Sequence, residues 1–217
     1  MARKESKPVA WYVADFETNV SRETCAANPV WAWGLSAIEA TKFEEVETGT
    51  SIESFMERLG STRKHIGIYF HNLKFDASFI LNWLLKNGYT CVDKTERGSR
   101  GAKVFTCLRA NGSLYAVKIA FKYSFVTLWD SAKKIPLRVE QMPKAFGLDD
   151  ICKGDIDYEL YRPPHHKLTA NEESYLKRDV LIVAQALSKL HSLGVSSEKM
   201  TIGSDAYEDW RTRAIDE

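Results

Sequence analysis

The 217 residues, 44% hydrophobic and 12% aromatic, suffice for one ordinary domain with a sizeable core and a small appendage at most. Thirty Lys and Arg against 29 Asp and Glu leave the chain nearly neutral, which weighs against a dedicated nucleic-acid coat protein but not against an enzyme with one local basic groove. The cysteines, Cys25, Cys91, Cys107 and Cys152, are scattered without CxxC spacing, so neither a disulfide framework nor a zinc site is indicated, and no apolar run reaches the roughly eighteen residues of a membrane span. The chain reads as cytoplasmic, with no membrane partner.

After a polar leader, WYVADFE at 11–17 has the Val, Tyr and Phe character of a strand. VWAWGLSAI at 30–38 and TKFEEVET at 41–48 read as the next two strands of a meander. Ser51 caps a short helix that stops at Gly60, and HIGIYF at 65–70 is a continuous apolar strand. Phe75, Phe79, Ile80, Trp83 and Leu84 recur at helical spacing over 73–86, with Gly88 as the stop. A polar stretch at 93–103 reads as a mobile loop carrying Lys94, Arg97, Arg100 and Lys103. Asn111-Gly112 marks a hairpin, SFVTLWD at 124–130 is another apolar strand, and a loop region follows. Thr169 and Glu172 have capping-box spacing and open a helix over about 171–193 that ends at Gly194; the tail from 197 adds one short helix. Strands first, then alternating helices and strands, predict a mixed α/β sheet flanked by helices.

Four carboxylates carry the chemistry. Asp15 and Glu17, at i and i+2 on a strand, share one face. Asp76 opens the helix after HIGIYF, and Asp179 lies four residues after Tyr175 on one helical face. If the four converge at one sheet edge, they repel unless a cation neutralises them, and the suited cation is hard and oxygen-loving, Mg²⁺ or Mn²⁺. Taken singly each has a plainer reading: Asp179 follows Lys177 and Arg178 as on a solvated helix face, and Asp76 complements a helix dipole.

Three blocks go beyond spacing. DFET at 15–18, YFHNLKFD at 69–76 and YLKRD at 175–179 resemble, in order, the exonuclease motifs of family B DNA polymerases. WDSAKKIP at 129–136, KGDIDY at 153–158 and MTIGSD at 200–205 look like the protein-primed group found in small linear-genome Bacillus phages. The resemblance implies an RNase H-like fold and a 3′–5′ exonuclease of the DEDD tyrosine subclass. By position, Asp15, Glu17, Asp76 and Asp179 would hold two Mg²⁺ or Mn²⁺ ions, Tyr175 would orient water, and Lys153 would stabilise the scissile phosphate. Thr18, Asn72, Phe75, Ser131 and Tyr158 would hold an unpaired DNA 3′ end, with Phe75 and Tyr158 offering faces for base stacking. Ala132 departs from the leucine usual after that serine.

The resemblance further implies an exonuclease domain over 1–196 and a tail over 197–217 leading toward a polymerase palm, for which the residues after MTIGSD leave no room. Expected partners are a single-stranded DNA 3′ end, a polymerase body of palm, fingers and thumb, and a terminal protein primer, in a host-cell cytoplasm. Two alternatives stay open: a stand-alone nuclease on RNA or short oligonucleotides, and an inactive single-strand-binding module. The basic groove is expected to draw on Lys133, Lys134 and Lys153, with Arg97, Arg100 and Lys103 on the loop.

Overall fold

The computed structural model describes residues 7–19, 30–148, 156–163, 165–197 and 199–215. Among the described residues eight strands form one mixed sheet in the order β3-β2-β1-β4-β8-β7-β6-β5. These are β1 (Ala10–Thr18), β2 (Val30–Ala37), β3 (Glu47–Gly49), β4 (Ile66–Phe70), β5 (Thr90–Cys91), β6 (Val104–Ala110), β7 (Ser113–Ala120) and β8 (Phe125–Asp130). β4 runs parallel to both β1 and β8, while β1–β2, β2–β3, β6–β7 and β7–β8 are antiparallel. Central strands covered on both faces have no polar face to show, so β1, β4 and β8 read as nearly continuous apolar runs.

Among the described residues the helices are α1 (Ile52–Gly60), α2 (Leu73–Lys86), α3 (Met142–Phe146), α4 (Ala170–Ser192) and α5 (Ile202–Ile215). On one face α1 and α2 bury Phe55, Leu59, Leu73, Ala77 and Ile80 against Phe16, Ile68, Phe70 and Leu128. On the other, α4 packs Val180, Val183 and Leu187 against Val13, Tyr69 and Trp129. Gly34 of β2 makes the second layer possible. A Cβ there would sit 2.8 Å from Val180 Cγ2, so only glycine lets α4 press this close to the strand beside Asp15.

Local signals behave as the chemistry dictates. Ser51 accepts from the Ser54 amide at the start of α1, and Thr169 accepts from the Glu172 amide at the start of α4. Asn111 and Gly112 both take positive φ, which a two-residue hairpin turn requires.

Several expectations are corrected. Residues 41–48 do not form one strand: the Glu45 carboxylate accepts from the Thr41 and Lys42 amides at 2.9 Å, curling 43–45 into a 3-10 turn before the short β3. The loop at 93–103 contains a 3-10 turn at Arg97–Ser99 and a buried Thr95. The loop region after β8 contains α3, opened by a proline and ended by Gly147 at φ +60°. The tail helix is fourteen residues long. Cys91 and Cys107 are free thiols, and Cys25 and Cys152 lie outside the described residues. Among the described residues no helix is long and apolar enough to cross a membrane.

Candidate metal centre and its surroundings

The site lies where three elements meet. β1 runs on past its pairing with β4, which ends at Val13 and Tyr69, and so carries Asp15 and Glu17 beyond the parallel core. Their face is the one that α4 covers, and Asp179 comes down onto it. One carboxylate oxygen from each of Asp15, Glu17 and Asp179 lies within 4.8 Å of the others. A small cleft lined by Asp15, Asp179, His71 and Val139 opens beside them.

Asp76 arrives from the opposite layer, in the first turn of α2 just past the end of β4. It is buried, and its Oδ1 has no hydrogen-bond partner. Burial, and then the charges of Asp15 and Glu17, hold its pKa well above the usual carboxylate range. Four carboxylates in mutual repulsion, offering oxygen and neither nitrogen nor sulfur, with one buried oxygen unsatisfied, fit a hard divalent cation.

Tyr175, one helical turn before Asp179, is buried with its hydroxyl 2.6 Å from that of Tyr158. Burial, and then the Asp179 charge, raise its pKa, so the phenol stays protonated and able to donate. Tyr158 is about half exposed and meets Tyr175 edge to face. Phe75, beside Asp76, leaves about half its surface to solvent, and the Asn72 side chain is exposed and makes no capping bond. Thr18 sits half-buried at a register shift in β1, while Lys153 lies outside the described residues.

Two of the expected contact residues are buried. The Ser131 side chain, read as a nucleotide contact, is fully buried. Its hydroxyl lies 3.0 Å from His71 Nδ1 and 3.2 Å from the Phe70 carbonyl, so it braces the cleft from beneath. Lys134, read as part of a groove, has its amine buried against the Ser196 carbonyl and Asp205, 2.8 Å away. Arg100 and Lys103 lie between β5 and β6 at the far edge of the sheet, where β6 is four strands and so roughly 19 Å from β1.

Several site-building residues escape a reading by motif. Asp130 ends β8, and one of its oxygens accepts from the amides of Asn72 and Ala132 at 3.1 and 3.0 Å, fixing the left-handed entry into α2. His71 donates from Nε2 to the Leu137 carbonyl and holds Nδ1 3.0 Å from the Ser131 hydroxyl; burial lowers its pKa, favouring the neutral ring. Asn19, Arg162 and Glu172 form a buried network beside Tyr158. Polar residues at strand ends and in a Pro-rich loop carry no periodic signal, and the capping box at Glu172 was its single local hint.

Comparison with known proteins agrees with this architecture. Residues 60–174 match the family described as DNA polymerase type B, organellar and viral. The DNA polymerase of Bacillus phage phi29 is 35% identical over 209 residues, covering 94% of this chain and 34% of the relative. The structure of phi29 DNA polymerase with primer-template DNA and incoming nucleotides superposes with a TM-score of 0.81 at 32% identity, over 96% of this chain and 35% of that one. The same polymerase with single-stranded DNA gives 0.79 at 33% identity, over 93% and 34%. The fold is RNase H-like, and the chain spans about a third of the length of the curated relatives it matches.

Proposed function

The chain belongs to the organellar and viral type B DNA polymerases, and from that premise we propose that it is a 3′–5′ exonuclease domain of the protein-primed kind, removing nucleotides from single-stranded DNA 3′ ends. The observation that carries the reading is the convergence of Asp15, Glu17 and Asp179 within 4.8 Å, with the buried Asp76, one oxygen without a hydrogen bond, close enough to feel the charges of Asp15 and Glu17. These four side chains would hold two Mg²⁺ or Mn²⁺ ions, which when bound lower the pKa of a water and stabilise a leaving alkoxide at a phosphodiester. Tyr175, kept protonated and held by Tyr158, would orient that water with its hydroxyl. The exposed ring of Phe75 and the half-exposed ring of Tyr158 offer stacking surfaces, and the exposed Asn72 amide and Thr18 hydroxyl would hold sugar and phosphate. Lys153 would neutralise the scissile phosphate. Ser131 would act through His71 and the cleft wall.

In this reading residues 1–196 form the nuclease and 197–217 lead toward a polymerase body, which with a terminal protein primer completes the list of partners, in a host-cell cytoplasm. The phi29 polymerase of the same family has been solved with single-stranded DNA, which supports that substrate. The test uses single-stranded DNA and RNA labelled at the 5′ end, with Mg²⁺, Mn²⁺ or EDTA, resolved on a gel. The expected result is stepwise shortening of DNA by single nucleotides, blocked by EDTA. Preference for RNA, or no shortening with either metal, would overturn it.

A further inference from the structure

Tyr158 sits in a segment, 156–163, that has no regular secondary structure and buries only Ile156 and Arg162. Something other than a helix or a sheet must therefore place its ring. The Arg162 guanidinium turns back into its own segment, donating from Nη1 to the Asp157 and Leu160 carbonyls at 2.8 Å, one on each side of Tyr158. Its Nε donates to Glu172 Oε1, and its plane lies 4.6 Å from the Trp31 ring of β2. The Asn19 side chain holds the Arg162 backbone from both sides: Oδ1 accepts from the amide at 2.8 Å and Nδ2 donates to the carbonyl at 2.6 Å. The second Glu172 oxygen accepts from the Thr169 amide and pairs with His166 Nε2 at 2.8 Å.

Each anchor belongs to a different part of the site. Asn19 follows Glu17 by two residues, and Glu172 precedes Tyr175 by three on the same helix. A buried Arg–Glu pair is a poor device for stability alone, since an apolar pair of similar volume serves as well or better. We propose that Asn19, Arg162 and Glu172 are positioning residues that fix Tyr158 against Tyr175, setting where the hydroxyl pair meets the terminal nucleotide. This rests on the exonuclease reading and extends it to side chains that touch neither cation nor substrate.

The test is a double-mutant cycle on the full chain, read by single-turnover cleavage of single-stranded DNA in Mg²⁺. Asn19→Ala removes two hydrogen bonds and leaves the Arg162–Glu172 pair in place. It should slow cleavage roughly 10- to 100-fold, the scale of a small misplacement at a reacting centre. In a Tyr158→Ala background, where nothing remains to be positioned, the same substitution should cost less than about twofold. The Mg²⁺ midpoint should not move. Equal losses in both backgrounds, or a shifted Mg²⁺ midpoint, would mean that Asn19 supports the carboxylate strand instead, and the inference fails. If Asn19→Ala does not fold, Arg162→Lys serves the same cycle, because lysine keeps the charge opposite Glu172 but loses the fork to Asp157 and Leu160. A parent chain that cuts nothing in either metal refutes the exonuclease reading itself. Limited proteolysis within 156–163 then decides on the clamp, and an unchanged cleavage rate in Asn19→Ala refutes it.

Discussion

Two buried clusters of charge lie within a few residues of each other along β1 and α4, and they are built on opposite principles. At Asp15, Glu17, Asp76 and Asp179, like charges are pressed together, and burial with mutual repulsion drives the Asp76 pKa up. At Glu172, burial also favours the neutral acid, but the Thr169 amide, the Arg162 guanidinium and His166 outweigh it and hold the pKa down to about 2. The same cost of desolvation is met inside the protein in one case and left open in the other. The fold satisfies a buried carboxylate fully at Glu172 and leaves one oxygen of Asp76 without a hydrogen bond, the difference expected if a cation completes the Asp76 cluster.

The contrast predicts opposite responses to substitution. Asp15→Asn or Asp179→Asn should lower the cleavage rate by several orders of magnitude, because in the proposed function each would remove a ligand of the ions. Either should leave the thermal midpoint of the metal-free chain unchanged or higher, because each relieves repulsion. Arg162→Met should destabilise the chain by about 3–5 kcal/mol, since it strands the Glu172 charge in the interior. Melting curves and single-turnover assays on the same three variants check the pattern, and a large melting loss in Asp179→Asn would break the comparison.

A smaller effect is expected at the boundary between the clusters. Tyr175→Phe keeps the ring packing and removes the hydroxyl shared with Tyr158. Loss of one preorganised donor costs about 10²–10³-fold in rate. An unchanged rate would make Tyr175 a packing residue.

The two clusters should also separate in pH. The pKa of Glu172 is lower in the folded chain than in the unfolded one, so the folded state binds fewer protons. The stability it contributes is full above about pH 4.5 and is lost as the pH falls toward 2; for a carboxylate this buried it is on the order of 3 kcal/mol. Asp76 has the reverse sign: its folded pKa is raised, so the metal-free chain loses stability as the pH climbs above about 4. Denaturant melts across pH 2–8 should therefore show acid loss in the parent that Glu172→Gln flattens. They should also show a decline on the neutral side that Asp76→Asn flattens.

The core elements were legible because their signals are local. Two-sided burial makes β1, β4 and β8 apolar runs, Ser51 and Thr169 cap helices, and Gly88 and Gly194 stop them. The carboxylates were legible through strand and helix periodicity joined to the resemblance. What stayed hidden depends on tertiary partners. Nothing in the sequence near Ser131 or Lys134 announces that a carbonyl and an aspartate far along the chain will bury them. Arg162 sits in a stretch, YRPPHHK, that reads as a solvated loop, yet Asn19 holds its backbone across 143 residues of sequence. Glu45 turned an apparent strand into a 3-10 turn by accepting two amides, a competition between side chain and backbone that strand periodicity ignores.

The central claim, that the four carboxylates together form a site for divalent cations, is tested most directly by calorimetric titration of the metal-free chain with Mn²⁺ near neutral pH. The account predicts saturable binding of two ions, and no more than one ion bound in Asp76→Asn. Absence of saturable binding, or binding that Asp76→Asn leaves unchanged, would contradict it.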